Sequence, residues 1–506
     1  MTTRAPLWAF LLFAAIFCAL SAWLGADASW DLRNYHLYDG HAALSGTLWR
    51  DIAPAQLQSY YPPASDAALF VFREALNAHP AILAALLALP FALAAWLALG
   101  VALRVGLPLG AATLAVLFGA TGATGLSTLG TAMSEAVPEC LVLAAFAMPC
   151  GRSLRAGCLA GIALGLKLTF APYAIGLAAA LLATARWRSL PSLAVGVAAG
   201  ALLVAGPWWW NVWVHTGNPS FPYFNEIFRS AWAAPAPMTD TRFLPEDALH
   251  AIFLPFFWAF RPSRLTSELA VRDPRLALAW VGWLVVLARA AFRRELPPSP
   301  IRALLAFWVV AFVAWEARFS ILRYTATLEL LAGIPIALAL APLRVRVLAP
   351  VFAAIASITI YPNWGRVSGP LAADVRPPWF PAHTLVLLLD PSPMAYVAAF
   401  VPASIRFVGA NSNLLHPGED TALARAAAHA IARHAGPLWG LESPGDQPGE
   451  ADRALGAYGL ARAGPCARVH SNLDADAILA CPLIRVQAPP PARRRELASR
   501  PSPPIR

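Results

Sequence analysis

The sequence predicts an α-helical polytopic membrane protein of about 11 membrane segments, with a small C-terminal α/β domain outside the cytoplasm. Three observations lead there. Of the 506 residues, 58% are hydrophobic and only 13% charged, with a mean hydropathy of +0.56; soluble domains carry about a quarter charged residues. The apolar residues fall in repeated blocks of about 14–25, enough to cross or enter ~30 Å of hydrocarbon at ~1.5 Å per residue. From residue 376 onward the pattern changes to short strand-like runs alternating with helical ones.

The net charge of +10 does not mark a nucleic-acid binder. Of the 38 basic residues only Lys167 is a lysine, and the arginines are scattered between apolar blocks instead of forming one patch. They act as topology signals. With segments at 7–25, 80–102, 107–124, 129–149, 157–170, 172–185, 190–207, 276–291, 302–317, 325–341 and 347–361, the links near Arg104, Arg152/Arg155, Arg186/Arg188, Arg289/Arg293/Arg294/Arg302 and Arg344/Arg346 share one side with Arg4. The positive-inside rule makes that side the cytoplasm. The N-terminus is then inside and the C-terminus outside, as expected for the inner membrane of a bacterium. The first apolar run is kept as an uncleaved span, because Ala26-Asp27-Ala28 is a weak cleavage signal.

Segments 157–170 and 172–185 would each span only ~21 Å as helices. They form either a short hairpin or one long helix bent at Pro172, and the hairpin is preferred because it keeps both basic clusters inside. Three regions then face outward: about 27–77, about 207–275, and 361–506.

The first outward region begins SWDLRNYHLYDGHAALSGTLWRD. Ser29 or Asp31 can cap a helix on which Asp31, Tyr35 and Asp39 share a stripe. That helix is expected on the membrane surface, with Tyr and Trp at headgroup depth. Asp51 and Asp66 are weaker candidates for a direct role. His36 and His41 lack the tight spacing of a metal site, so a divalent ion is unsupported. Glu135 opens the fourth span, and Glu139 lies one turn deeper; carboxylates inside membranes are functional candidates. Lys167 falls near the outer end of the hairpin, where it either meets a lipid phosphate or snorkels to the interface. Arg261 and Arg264 flank an aromatic stretch, FLPFFWAFRPSR, and arginine forks suit phosphate oxygens. The simpler reading of that stretch is interfacial anchoring.

Asp31, Tyr35, Gly46, Asp51 and Tyr61-Pro62-Pro63, in this order after the first span, resemble the GT-C glycosyltransferases, in particular bacterial relatives of the dolichyl-phosphate-mannose protein mannosyltransferases. The acidic element at Glu135, the helix GIALGLKLTFAP around Lys167, the pattern TGNP…FP…N and the pair Arg323-Tyr324 are similar to elements of the same family. The family's first acidic position is often a carboxylate pair, whereas Leu32 follows Asp31 here. The resemblance covers roughly residues 26–342 and says nothing of the C-terminal domain. It implies a membrane transferase that moves a sugar from a polyprenyl-phosphate carrier to a glycan, lipid or protein acceptor. Asp31 would be the general base and Arg323 would neutralise the departing phosphate, unless it merely pairs with Glu316 or Glu329. Tyr35, Asp51, Glu135, Lys167, Arg261, Arg264 and Tyr324 would help bind the substrates. The alternatives are a lipid-linked sugar flippase or a non-catalytic envelope scaffold.

In the C-terminal domain, over 376–487, HTLVLLLD, SIRFVGAN, PLWGLES and ILACPLIRV read as strands, and MAYVAAFV, 418–435 and 448–461 as helices. This suggests a largely parallel sheet. No phosphate-cradling glycine loop accompanies it, so no nucleotide cofactor is expected. Cys466 and Cys481 are the two cysteines available for a disulfide in an oxidising compartment, whereas Cys18, Cys140, Cys150 and Cys158 read as small apolar residues. The Pro/Arg-rich stretch 488–506 is expected to be disordered.

Overall fold

The computed structural model describes residues 5–149, 151–341, 345–369, 371–474 and 476–486. The expectations for Arg4, Cys150, Arg344 and the tail 488–506 lie outside the described residues, as does the Arg346 side chain.

Six stretches are long and apolar enough to cross a membrane: Leu7–Leu24, Pro80–Arg104, Trp187–Thr216, Arg275–Arg293, Ser299–Arg318 and Leu322–Ala339. The other five expected segments are present as shorter apolar helices. In chain order the membrane part comprises α1 (Leu7–Leu24), α2 (Leu37–Ser45), α3 (Ala64–Leu76), α4 (Pro80–Arg104), α5 (Leu109–Ala120), α6 (Ala123–Thr128), α7 (Ala136–Ala147), α8 (Ser153–Leu166), α9 (Ala171–Ala183) and α10 (Leu190–Thr216). It continues with α11 (Asn225–Phe228), α12 (Ala248–Phe260), α13 (Arg275–Arg293), α14 (Ser299–Arg318), α15 (Ala326–Leu331), α16 (Gly333–Ala339) and α17 (Val345–Ser357). The bundle core is rich in large aromatics, with Trp258, Trp283, Trp308, Trp315, Phe13 and Phe17 all fully buried.

The chain breaks at Lys167, whose backbone is extended between α8 and a short 3-10 turn. α9 then reverses direction. The contacts of α8 with α10 establish this: Gly157 lies against Leu193, Gly161 against Val197, and Gly165 against Ala201. Partner numbers rise together, so α8 and α10 run parallel and α9 runs back between their ends. The hairpin therefore forms, but it is an open one: α8 lies on α10, while α9 packs on α14 through Gly176 against Phe307. A Cβ at Gly157, Gly161, Gly196 or Gly200 would strike a carbonyl of the facing helix. This small-residue seam is what lets two backbones approach in lipid.

α10 does not end near residue 207 as expected. It continues through Pro207 to Thr216, carrying the tryptophan cluster with it, and stops at Gly217 in the left-handed conformation. A proline inside a helix costs one backbone hydrogen bond, and flanking turns in a long apolar helix absorb that loss. α12 presents Leu249, Ile252, Phe253, Phe257 and Phe260 outward, in keeping with the anchoring reading of that stretch.

The C-terminal domain holds one mixed sheet. Its strands are β4 (Leu385–Leu388), β5 (Arg406–Gly409), β6 (Leu438–Glu442), β7 (Leu460–Arg462), β8 (Ala467–Arg468) and β10 (Leu479–Arg485), in the order β5-β4-β6-β10-β7 with β8 also on β10. The small pairs β1 (Ala26–Asp27) with β2 (Arg366–Val367) and β3 (Val375–Arg376) with β9 (His470–Ser471) lie apart from it. β4 is parallel to β5 and β6, whereas β10 is antiparallel to β6, β7 and β8. The largely parallel sheet expected is thus only half realised. The crossovers through 395–400 and α18 (Ala422–Arg433) give parallel neighbours, but after α19 (Glu450–Ala457) the last strand, β10, enters between β6 and β7 in the opposite direction, so each of its pairings is antiparallel. Cys466 and Cys481 are disulfide-bonded there, 15 residues apart.

Candidate active site

The start of the first outward region is covered by protein. Residues 32–36 form a π-helical turn leading into α2, and Leu32, Tyr35, Leu37, Tyr38 and Ala42 are buried in one core with Met394, Tyr396 and Val397 of the C-terminal domain. Two sets of apolar side chains that neither body could bury alone meet here. The expectation of a surface helix is corrected accordingly.

This sandwiching places Asp31. Ser29 caps the turn, its hydroxyl accepting from the Leu32 amide at 3.2 Å. Asp31 makes no capping bond. Its carboxylate instead accepts from Arg323 Nη1 at 2.9 Å and from the Tyr35 hydroxyl at 3.3 Å. The pair is mostly shielded, with side-chain exposures of 14% for Arg323 and 15% for Asp31. The sequence left Glu316 and Glu329 open as partners for Arg323. Neither is one: Glu316 Oε1 has no partner among the described residues, and Glu329 accepts from the Thr124 and Gly125 amides.

Burial works to raise the Asp31 pKa. The charges of Arg323, His36 and Lys167 and the Tyr35 hydrogen bond outweigh it and hold the carboxyl below its ordinary range. Tyr35 is displaced well upward, first by burial and then by Asp31 beside it, so it stays a neutral donor.

Aromatic groups surround the pair. The Arg323 guanidinium lies 5.7 Å from the Tyr324 ring centre and 6.0 Å from that of Trp364. Tyr61 packs edge-on against Tyr35 with centroids 5.7 Å apart, and its hydroxyl is 2.5 Å from that of Tyr223. Behind Tyr35, His36 Nδ1 is 2.6 Å from Asp66 Oδ1. Asp39, on the same stripe, is fully buried, and neither of its oxygens has a partner among the described residues. Burial and then Asp66 push its pKa well up, which favours the neutral acid.

Lys167 donates to Glu135 Oε1 at 3.1 Å. It neither snorkels freely nor stands unpaired toward a phosphate. Glu135 is buried at the N-terminal end of α7, and Glu139 one turn deeper is buried with no partner for either oxygen among the described residues. The Tyr173 hydroxyl donates to the Tyr324 carbonyl at 2.7 Å, tying α9 to the Arg323 turn.

Other expected site residues are not brought in. Asp51 is buried and accepts from the Tyr38 hydroxyl and, at 3.1 Å, from the Phe407 amide of β5; it holds the C-terminal domain to the loop. Arg261 and Arg264 are exposed beyond the end of α12, and neither pairs with an acid or touches the Asp31–Arg323 pair among the described residues. The sequence reading missed Trp364, which lies against Arg323 from a distant segment, and Tyr223, which meets the Tyr61 hydroxyl. The one cluster with metal-ligand geometry among the described residues is Glu442 with Cys466 and Cys481, whose sulfurs are in the disulfide.

No protein-family model matches the chain, and no curated protein matches it. Among solved structures, the chain is similar to the crystal structure of ArnT from Cupriavidus metallidurans bound to undecaprenyl phosphate. The match covers 94% of this chain and 97% of that one, at 14% sequence identity and a TM-score of 0.48.

Proposed function

We propose that the protein is a membrane glycosyltransferase of the GT-C type, moving a sugar from a polyprenyl-phosphate carrier to a glycan, lipid or protein acceptor. The observation that carries the reading is the largely buried Asp31–Arg323 pair within a ring of tyrosines and a tryptophan. A carboxylate and a guanidinium in contact are what this transfer needs. The acceptor hydroxyl gives its proton to Asp31 as its oxygen bonds to the anomeric carbon, and the bond from that carbon to the phosphate oxygen breaks. The departing polyprenyl phosphate takes the electron pair and is neutralised by Arg323. General-base help of this kind contributes about 10²–10⁴ in rate, and charge stabilisation is commonly the larger effect.

Before substrate arrives, Arg323 and Asp31 satisfy each other. A donor phosphate competes for the same guanidinium, and its capture would free Asp31 to accept a proton. Aromatic faces suit sugar rings, and Tyr35 and Tyr61 present theirs beside the carboxylate. Lys167 and Glu135 hold the hairpin break against α7 next to the site.

The arrangement of charge supports the orientation. The basic links at Arg152/Arg155, Arg186/Arg188 and Arg293/Arg302 adjoin helix ends opposite the Lys167 break. By the positive-inside rule that end is cytoplasmic, which puts the Asp31 site and the C-terminal domain on the periplasmic side of a bacterial inner membrane.

The test is direct. Purified full-length protein in lipid nanodiscs is offered a panel of labelled polyprenyl-phosphate sugars with envelope glycans, lipids and proteins as acceptors, and label transfer is counted. Transfer from at least one donor is expected. Saturable donor binding with movement across the bilayer, and no release or transfer of sugar from any donor, would overturn the reading in favour of a flippase.

A further inference from the structure

The C-terminal domain carries a second concavity, of about 740 Å³, away from the Asp31 pair. It is lined by Arg406 from β5, by Arg425, His429 and Arg433 along α18, and by His434 just past that helix. The three residues on α18 are spaced four apart and lie on one exposed face, while Leu423, Ala427 and Ile431 on the opposite face are buried in the domain core. A solvated helix face would usually interleave acids with its bases. Here the one acid paired with the cluster among the described residues is Asp420, which contacts Arg425 and is itself 95% exposed. A pair that open to water contributes little and is readily exchanged. Arg406, His429 and Arg433 have no acidic partner among the described residues.

The frame around these charges is fixed. The Arg406 Nε donates to the Arg50 carbonyl at 2.6 Å, which pins the arginine at the cavity wall. The Ala422 amide donates to the Ala231 carbonyl at 2.7 Å, anchoring the start of α18. At its end, Arg485 donates to the Ile431 and His434 carbonyls at 2.8 and 2.7 Å. Three arginines line this one concavity, and planar guanidinium forks match phosphate oxygens. The volume lies within the range of small-ligand sites.

We propose that this cavity is a second binding site, taking a phosphomonoester group carried by a soluble saccharide or by a lipid headgroup. It stands independently of the transfer reaction, because none of its residues touches the Asp31–Arg323 pair. The experiment uses full-length protein in zwitterionic nanodiscs. Glucose 6-phosphate, with glucose as control, is titrated calorimetrically in one arm; in the other, discs doped with phosphatidic acid are analysed by native mass spectrometry for retained lipid. Saturable binding of at least one phosphorylated probe is expected, with none for glucose. The exposed-site double variant Arg425→Gln/Arg433→Gln should weaken it at least tenfold at an unchanged melting temperature, and Arg425→Lys/Arg433→Lys should restore part of the loss. The probe that binds identifies the carrier. Failure of both probes, or equal binding by wild type and the Gln double variant, overturns the proposal.

Discussion

Asp31 is subject to opposed forces, burial raising its pKa and the Arg323 charge lowering it, and the balance sets when it can act. A base must be ionised to accept a proton, so activity falls as pH drops through its pKa. For wild type that fall from Asp31 should lie below the ordinary aspartate value of about 3.9. Replacing Arg323 with Gln removes the largest lowering charge, so the acid limb of the pH–rate profile should move to higher pH while KM for the donor rises. A profile with its acid limb unmoved would separate Arg323 from Asp31. Asp39 gives a second, opposite prediction. Its pKa is raised in the folded protein, so folding takes up protons and stability declines as pH climbs above the unfolded value. Asp39→Asn removes that cost; it should raise the melting temperature at pH 8 by more than at pH 5, as thermal scans at the two pH values would show. Glu135 was visible in the sequence because a carboxylate beside an apolar block is costly unless it has work to do, whereas Asp31, Tyr35 and Arg323 stood out through the order of elements that resembles the GT-C family. Trp364 and Tyr223 were not visible, since an aromatic residue in a loop looks the same whether or not it faces a charge far away in sequence. The partner of Arg323 lay 292 residues distant, and two nearer glutamates were the natural guesses.

Helix lengths and turns followed from the apolar periodicity, and the errors have physical causes. α10 outran its expected end near residue 207, because within a long apolar helix a proline such as Pro207 is tolerated. The first-loop helix was placed on a membrane surface because its tyrosines and apolar residues have two possible covers, lipid or protein, and local sequence does not distinguish them. The glycine seam between α8 and α10 makes a prediction about the hairpin. Gly161→Leu drives a side chain into the Val197 carbonyl, so it should separate the two helices and lower the melting temperature, whereas Gly100→Ala in α4, where a Cβ meets no atom, should leave it unchanged. In the C-terminal domain, Cys466→Ser/Cys481→Ser should destabilise that domain by about 2–4 kcal/mol, the usual worth of a disulfide closing a loop of this size. Urea denaturation of the full chain followed by near-UV circular dichroism would measure it.

The membrane part and the C-terminal domain build the site together. Arg50 and Asp51 of the first loop bond to Ile405 and Phe407, the Gly409 amide donates to the Ile52 carbonyl, and Asn77 exchanges two hydrogen bonds with Ala373. Arg33 pairs with Asp474 across the same junction. The resemblance that pointed to the first loop stopped before this domain, so its part in positioning Asp31 was not readable from motifs. Asp51→Ala should leave the Phe407 amide and the Tyr38 hydroxyl without their buried acceptor, loosening the domain and reducing turnover through geometry; proteolysis of the junction should speed up in parallel. The measurement that bears most directly on the whole account is single-turnover sugar release by wild type and Asp31→Asn, with donor binding determined on the same samples. The asparagine has the same shape but accepts no proton. Release should fall by about 10²–10⁴ with donor binding retained; release at the wild-type rate would contradict Asp31 as the base and remove the Asp31–Arg323 pair from the centre of the chemistry.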